Sequence, residues 1–292
     1  MTIAVFNEHK TLLFNIAYGM LGSIADSEDI LQNTWIKWQR TKHSNIKSKK
    51  AYLSKIVINL CIDSIRENVV KRENYIGSWL PEPYYENESI NDQNRQVEIN
   101  NELSIAMLFV LEKLNSKERA VFILKEAFSF RHIEIANTLE ISIQNSRQLL
   151  SRAKKTLKNY RSYSSLKIVE KTQKLTELMA AINSNNLNDV KNILTSDAVA
   201  FTDGGGIVTA TLIPLQGIDR IIQVFSHLIS KQHLNQKVEL LKINGEMGLA
   251  VFDKEVIHSI ISFRFIDDKI QQIFVQRNPL KLMLSDLGNH ND

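Results

Sequence analysis

Residues 131–155, RHIEIANTLEISIQNSRQLLSRAKK, decide how the middle of this chain folds. Ile133, Ile135, Ala136 and Leu139 keep helical spacing and then stop. A short polar turn follows, and Ser142 stands where a side-chain oxygen can cap a new helix. That second helix carries Leu149, Leu150, Ala153 and Leu157 for burial. Gln144, Asn145, Arg147, Gln148, Ser151 and Arg152 remain for its outer side, with Ser142 at the mouth. Amides, hydroxyls and guanidinium groups in that order can read base edges in a major groove, and Lys154, Lys155 and Lys158 can grip phosphate. The pattern is a helix-turn-helix and a candidate DNA interface. On these residues alone, a helical hairpin with a polar outer face is the competing description.

Upstream, Ala106, Met107, Val110, Leu111 and Leu114 mark one helix. A further helix starts near Ser116 with Glu118 in its first turn and buries Val121, Phe122 and Leu124. Residues 73–100 break the periodicity. Trp79-Leu80-Pro81-Glu82-Pro83 cannot continue a helix, because each proline lacks a donor and restricts its predecessor. The Asn/Glu/Gln-rich run after it reads as a solvated linker.

The first 72 residues are helical again. Phe6, Leu13, Ile16, Ala17 and Met20 line one helix that Gly22 ends. Ser23 and Asp26 open a second helix with Ile30, Leu31, Trp35 and Trp38, the tryptophans reading as core. A polar loop from Arg40 to Lys50 precedes a third helix through Leu53, Ile56, Val57, Leu60, Cys61 and Ile65. Arg40, Lys42, Lys47, Lys49 and Lys50 are either a solvated loop or phosphate contacts to a single strand.

Past Leu166 the character changes. Helices are expected over Leu175–Asn183, Leu187–Leu194 and Ile218–Ile229, with a glycine turn at Asp203-Gly204-Gly205-Gly206. Alternating segments Val238–Ile243, Gly248–Phe252, Val256–Phe265 and Ile270–Val275 read as antiparallel strands, giving an α+β layer fold. The triple glycine lacks the Lys-Ser/Thr of a P-loop, so a tight turn is its expected role rather than phosphate binding. His227, His233 and His258 are scattered and pair with no carboxylate at any recognisable spacing.

Composition bounds the function. The chain is 292 residues long, enough for two or three domains, with 43% hydrophobic and 23% charged residues. No apolar run reaches the roughly 18 residues of a membrane span, and no signal-peptide pattern opens the chain, so cytosol and no membrane association are expected. Cys61 is the single cysteine, which excludes an intramolecular disulfide and a CxxC metal site. Residues 1–80 carry 11 Lys/Arg against 7 Asp/Glu, and residues 131–161 carry 7 against 2. The intervening 81–100 carry 1 against 5, while residues 162–292 are balanced at 13 against 14. Two basic blocks around an acidic connector suggest two polyanion surfaces and a third domain with another task.

At this point the chain resembles a known family. Ser116-Lys117-Glu118-Arg119-Ala120-Val121-Phe122, followed by the run that contains Glu134-Ile135-Ala136 and Ser151-Arg152-Ala153-Lys154-Lys155, is similar to region four of extracytoplasmic-function sigma factors. That resemblance implies recognition of a minus-35 promoter element. Ala25-Asp26-Ser27-Glu28-Asp29-Ile30-Leu31-Gln32-Asn33-Thr34-Trp35 resembles the family's region two. It implies that Asp26, Glu28, Asp29 and Gln32 dock on RNA polymerase, and that the following helix and basic loop recognise and melt the minus-10 element. Tyr75-Ile76-Gly77-Ser78-Trp79-Leu80-Pro81-Glu82-Pro83, Asp203-Gly204-Gly205-Gly206 and Asn278-Pro279-Leu280-Lys281-Leu282 resemble the subgroup fused to a SnoaL-like domain. There the extension takes the place of a separate anti-sigma protein. Ile207 stands where relatives carry lysine and Leu280 where they carry aspartate, and both changes remove a charge.

The expected organisation is multidomain: two all-α domains plus a C-terminal α+β SnoaL-like cone. Region two is placed at 1–72, the acidic linker at 73–100, region four at 101–162 and the regulatory domain at 163–292. Trp79, Leu80, Pro81, Asp203, Gly204, Gly205, Gly206, Asn278 and Pro279 are the candidate regulatory residues. Core RNA polymerase and promoter DNA are the expected partners, with a pocket ligand open, no cofactor, no metal and no catalytic residue. An enzyme with a DNA-binding leader and a ligand-responsive repressor are the alternatives.

Overall fold

The computed structural model describes residues 2–42, 46–85, 103–158, 166–184, 186–230, 236–254 and 256–282. These group into two compact units: residues 2–73 with 103 and 107–158, and residues 74–85 with 104–106 and 166–282.

The first unit is helical. It begins with α1 (Thr2–Leu21), α2 (Ile24–Gln39), α3 (Lys49–Glu67) and the short α4 (Val69–Glu73). Gly22 takes φ 65°, the left-handed geometry that ends α1, and Ser23 then caps α2 by accepting from the Asp26 N–H at 3.2 Å. Leu13, Ile16, Ala17, Met20, Leu53, Val57, Ile58 and Cys61 fill the space between the three long helices. Trp38 is buried in that core, and the half-buried Trp35 ring packs 5.1 Å from Phe6. Ser48 caps α3, so Lys49 and Lys50 lie in its first turn rather than in the loop expected to reach Lys50.

The same unit continues from Met107 with α5 (Ile105–Leu111, whose first two residues group with the second unit), α6 (Ser116–Phe122), a π-helical turn (Ile123–Ala127), α7 (His132–Leu139) and α8 (Ile143–Thr156). Asn115 caps α6 and Ser142 caps α8, each accepting the N–H three residues on. Glu140, at φ 54°, makes the left-handed turn between α7 and α8. A polar lock closes the unit. The last carbonyls of α1 have no partner within their own helix. Arg119 donates to the Met20 carbonyl at 2.7 Å, and Arg72 to the Leu21 carbonyl at 3.1 Å. Glu112 balances both guanidinium groups at 2.8 and 3.1 Å. Gly19 permits the close approach here, since a Cβ would stand 3.2 Å from Leu103 and 3.3 Å from Ile123.

The second unit is α+β. It contains α9 (Ile168–Asn183), α10 (Leu187–Ile193), β1 (Leu194–Asp203), β2 (Leu215–Gln216), α11 (Ile218–Ser230), β3 (Gln236–Ile243), β4 (Glu246–Asp253), β5 (Val256–Ile266), β6 (Lys269–Gln276) and α12 (Pro279–Leu282). Strand order is β2-β1-β6-β5-β4-β3. All pairs are antiparallel except β1 with β6, which run parallel. Leu175, Leu178, Val190, Ile193, Ile221 and Ile222 pack with Ala198, Ala200, Phe265, Ile270 and Ile273 as the core between helices and sheet. β1 is not expected from the sequence: Thr195-Ser196-Asp197 interrupts its apolar pattern, and its parallel partners are 73 or more residues away (Phe201 with Phe274 is typical).

Residues 74–85, the first part of the 73–100 connector, belong to this second unit. Leu80, Pro81, Glu82 and Pro83 are buried, and Tyr85 forms a β-bridge to Ile243. The part of the connector beyond Tyr85, up to residue 102, lies outside the described residues, and so does the start of the segment 159–165.

Candidate nucleic-acid interface and linker clamp

In the helical unit the polar side of α8 is open. Gln144, Arg147, Gln148, Ser151, Arg152 and Lys155 are exposed, with Asn145 half-buried beside them. Ser142 is exposed too, but its hydroxyl is engaged by the Asn145 N–H at 3.0 Å. Lys154 is drawn away, paired with Glu126 at 2.7 Å, so it is less free to meet phosphate. The helices of the motif are fixed by a bond that sequence did not suggest: His132 Nδ1 to the buried Ser146 hydroxyl at 2.9 Å. Desolvation, then Lys125, Arg147 and Lys154, hold the His132 imidazole below its ordinary value. Burial and the cationic neighbours both favour the neutral imidazole.

On α2, Asp26, Glu28, Asp29 and Gln32 are all exposed, while Ser27, Ile30, Leu31 and Thr34 face inward. Ile36 lies on the open side one turn beyond Gln32, with 43% of its surface exposed. Acids beside an accessible aliphatic make a surface suited to a protein partner. Arg40, Lys42, Lys47, Lys49 and Lys50 are exposed, and the Lys50 ammonium sits 4.9 Å from the Phe130 ring centroid. Lys55 of α3 meets Glu140 at 2.5 Å, tying α3 to the turn of the helix-turn-helix.

In the α+β unit, the three motif segments converge on one carboxylate. Asp203, at the end of β1, is fully buried. Its Oδ2 receives the Lys281 ammonium at 2.7 Å and the Leu80 N–H at 2.9 Å. Its Oδ1 receives the Tyr75 hydroxyl at 2.6 Å and the Gly205 N–H at 3.0 Å. Gln276 Nε2 approaches Oδ2 and the Pro81 carbonyl, each at 3.4 Å. Lys281 also donates to the Leu80 carbonyl at 2.6 Å, and its charge lies 4.3 Å from the Trp79 ring and 5.0 Å from the Tyr75 ring. A buried ion pair is tolerable only when its remaining polar sites are filled, and here they are. Asn278 donates to the Tyr75 hydroxyl at 3.0 Å, and its Oδ1 accepts from the Leu280 N–H. Pro279 opens α12, where a missing N–H costs nothing.

The glycines make this packing possible. A Cβ on Gly204 would stand 2.3 Å from the Val208 carbonyl oxygen, and one on Gly205 would overlap the Asn278 amide at 2.3 Å. Ile207 and Leu280, the two positions that depart from the subgroup, are 56% and 63% exposed. The ionic contact at the centre uses neither. Lys281, Tyr75 and Gln276 were missing from the sequence-based candidates, although the first two stood inside motifs that were noticed. Of the three histidines, His258 is described; His233 and the side chain of His227 lie outside the described residues.

A helical unit with a helix-turn-helix and an exposed acidic helix, followed by an α+β unit, is the arrangement of a sigma-type transcription initiation factor. The sigma-70 region 2 family matches residues 5–69, and the sigma-70 region 4 family matches residues 104–157. The ECF RNA polymerase sigma factor SigJ of Mycobacterium tuberculosis is 29% identical over 85% of this chain and 80% of its own length. The probable ECF sigma factor SigI of the same species is 23% identical over 98% of this chain and 97% of its own. The crystal structure of SigJ superposes with a TM-score of 0.76 at 26% identity, covering 96% of this chain and 97% of that one. The chain carries the sigma-70 region 2 and region 4 domains and is a homologue of extracytoplasmic-function sigma factors, with an α+β unit after them. As such it binds core RNA polymerase and directs it to promoters.

Proposed function

We propose that the exposed acids of α2 dock on core polymerase, that α3 with Arg40, Lys42, Lys47, Lys49 and Lys50 engages the minus-10 strand, and that α8 reads the minus-35 element through Gln144, Asn145, Arg147, Gln148, Ser151 and Arg152. Lys155 supplies phosphate contact, with Lys154 joining once released from Glu126. The chain itself performs no covalent chemistry, and its place is the cytoplasm, with the transcription machinery.

We further propose that the C-terminal domain controls this activity through the connector. One observation carries that reading: the segment that leaves α4 is bonded, at Tyr75 and Leu80, to the same buried carboxylate that holds Lys281 of the C-terminal domain. A shift in that domain is therefore felt by the chain joining the two promoter-binding regions. Run-off transcription with core polymerase and the full-length chain tests it. Asp203→Asn and Tyr75→Phe should change transcript yield several-fold in the same direction. Unchanged yield together with unchanged polymerase affinity removes the regulatory role and leaves the clamp purely structural.

A further inference from the structure

Arg277 is a half-buried cation of the C-terminal domain whose side chain the clamp does not use. Arg277 follows β6 immediately, and its backbone N–H donates to the Asp203 carbonyl at 2.8 Å. By strand alternation its side chain goes with Ile273 and Val275, opposite to Gln276, which serves the clamp. That is the side of the sheet on which the helices pack. Arg277 Nη1 donates to the Thr209 carbonyl at 2.5 Å, and Nη2 lies 3.0 Å from His258 Nε2. A guanidinium can only donate, so Nε2 accepts and the imidazole proton sits on Nδ1, 2.9 Å from the Ser259 hydroxyl. His258 is therefore neutral and committed to orienting Arg277.

Two features show that the guanidinium is incomplete. Its Nε is buried and meets no acceptor, and among the described residues no carboxylate pairs with it. A half-buried charge without a counter-charge is costly unless something supplies one. Burial alone pulls the Arg277 pKa down, and burial followed by the Arg277 charge pulls His258 down. The Nε–H edge with its neighbouring Nη–H is the fork that accepts a carboxylate through two parallel bonds. On the same face, Leu240, Ile261, Phe263 and Val275 are only partly buried where they meet the core. Cross-strand pairing of Ile261 with Val275 and Phe263 with Ile273 places them in line from Arg277 inward.

We propose that Arg277, oriented by His258, is the recognition end of a binding site for an amphiphilic monocarboxylate whose apolar body lies along Leu240, Ile261, Phe263 and Val275. The site rests on the regulatory reading only for its consequence, since binding is measured without transcription. Isothermal titration of the full-length chain with sodium octanoate, 1-octanol and sodium acetate is the test. Octanoate should bind saturably, at least about tenfold more tightly than either the uncharged chain of equal length or the carboxylate without a body. Arg277→Gln should weaken octanoate about tenfold or more, and His258→Gln less. Arg277→Lys, which keeps the charge and loses the fork, should fall between, and it serves if the glutamine variant does not fold. Absence of saturable octanoate binding overturns the proposal, as does octanoate binding that is equal in Arg277→Gln or matched by 1-octanol or acetate. If octanoate binds as described but leaves run-off transcription unchanged, the site stands and the regulatory reading falls.

Discussion

Lys281→Met removes the ammonium of the clamp while keeping most of the side-chain length. The wild-type ammonium makes one charge-assisted bond to Asp203, one bond to the Leu80 carbonyl, and two contacts with the Trp79 and Tyr75 rings. Breaking a buried pair by removing one partner costs about 3–5 kcal/mol. Asp203 keeps the Tyr75 hydroxyl and the Leu80 and Gly205 N–H groups, so the lower end of that range, about 3 kcal/mol, is expected. That loss falls first on the segment 74–85, whose amides would open without unfolding the sheet. Exchange of the Leu80 amide should accelerate about a hundredfold, at 1.4 kcal/mol per decade, while the β5 and β6 amides keep their protection. Asp203→Asn should release the same segment. In a double-mutant cycle the two changes should be far from additive, with a coupling of about 1–3 kcal/mol. Additive effects, or loss of protection throughout the sheet with none specific to residues 74–85, would refute the picture of a local clamp centred on this pair.

Other outcomes follow from the helical unit. Arg152→Ala should cost about 1–3 kcal/mol in binding a promoter fragment and relax preference at one base pair, whereas Lys155→Ala should weaken all sequences alike and lower the salt slope by about one, as read by anisotropy across salt concentrations. Replacing Glu28 and Asp29 with lysine should reduce core-polymerase affinity by about tenfold or more without lowering the melting temperature, because both side chains are solvent-facing. Cys61 should resist alkylation at pH 8 until the protein unfolds, since burial pushes its thiol far above the ordinary range and removes the reactive thiolate. His132 binds protons less readily when folded than when unfolded, so the helix-turn-helix should lose stability as pH falls from the ordinary imidazole value toward the lowered folded one. Thermal melts from pH 7 to 5 should show that loss diminished in His132→Gln.

How far each feature could be foreseen depends on how local its physics is. Amphipathic spacing, with Ser caps on α2 and α8, places α2, α7 and α8 from a dozen residues at a time, because their bonds close within four positions. The outer faces of those helices were legible for the same reason: what is not spaced for burial is left to solvent or to a partner. β1 was not legible, since its polar start hides the alternation and its hydrogen-bonding partner is the last strand of the sheet. The burial of residues 74–85 was not legible, because it depends on donors and acceptors supplied by the distant Asp203, Asn244 and Lys281.

The amino-acid sequence by itself determined that this chain holds two helical blocks with basic surfaces followed by an α+β domain, and its motifs carry the resemblance to sigma factors. Periodicity, capping and charge blocks are properties of neighbouring residues. Only the tertiary structure decided that Tyr75, Leu80, Asp203 and Lys281 form one buried constellation, and that no carboxylate among the described residues pairs with Arg277. Those facts join positions up to 206 residues apart (Tyr75 to Lys281), and a charge's cost or benefit is set by what folding brings around it.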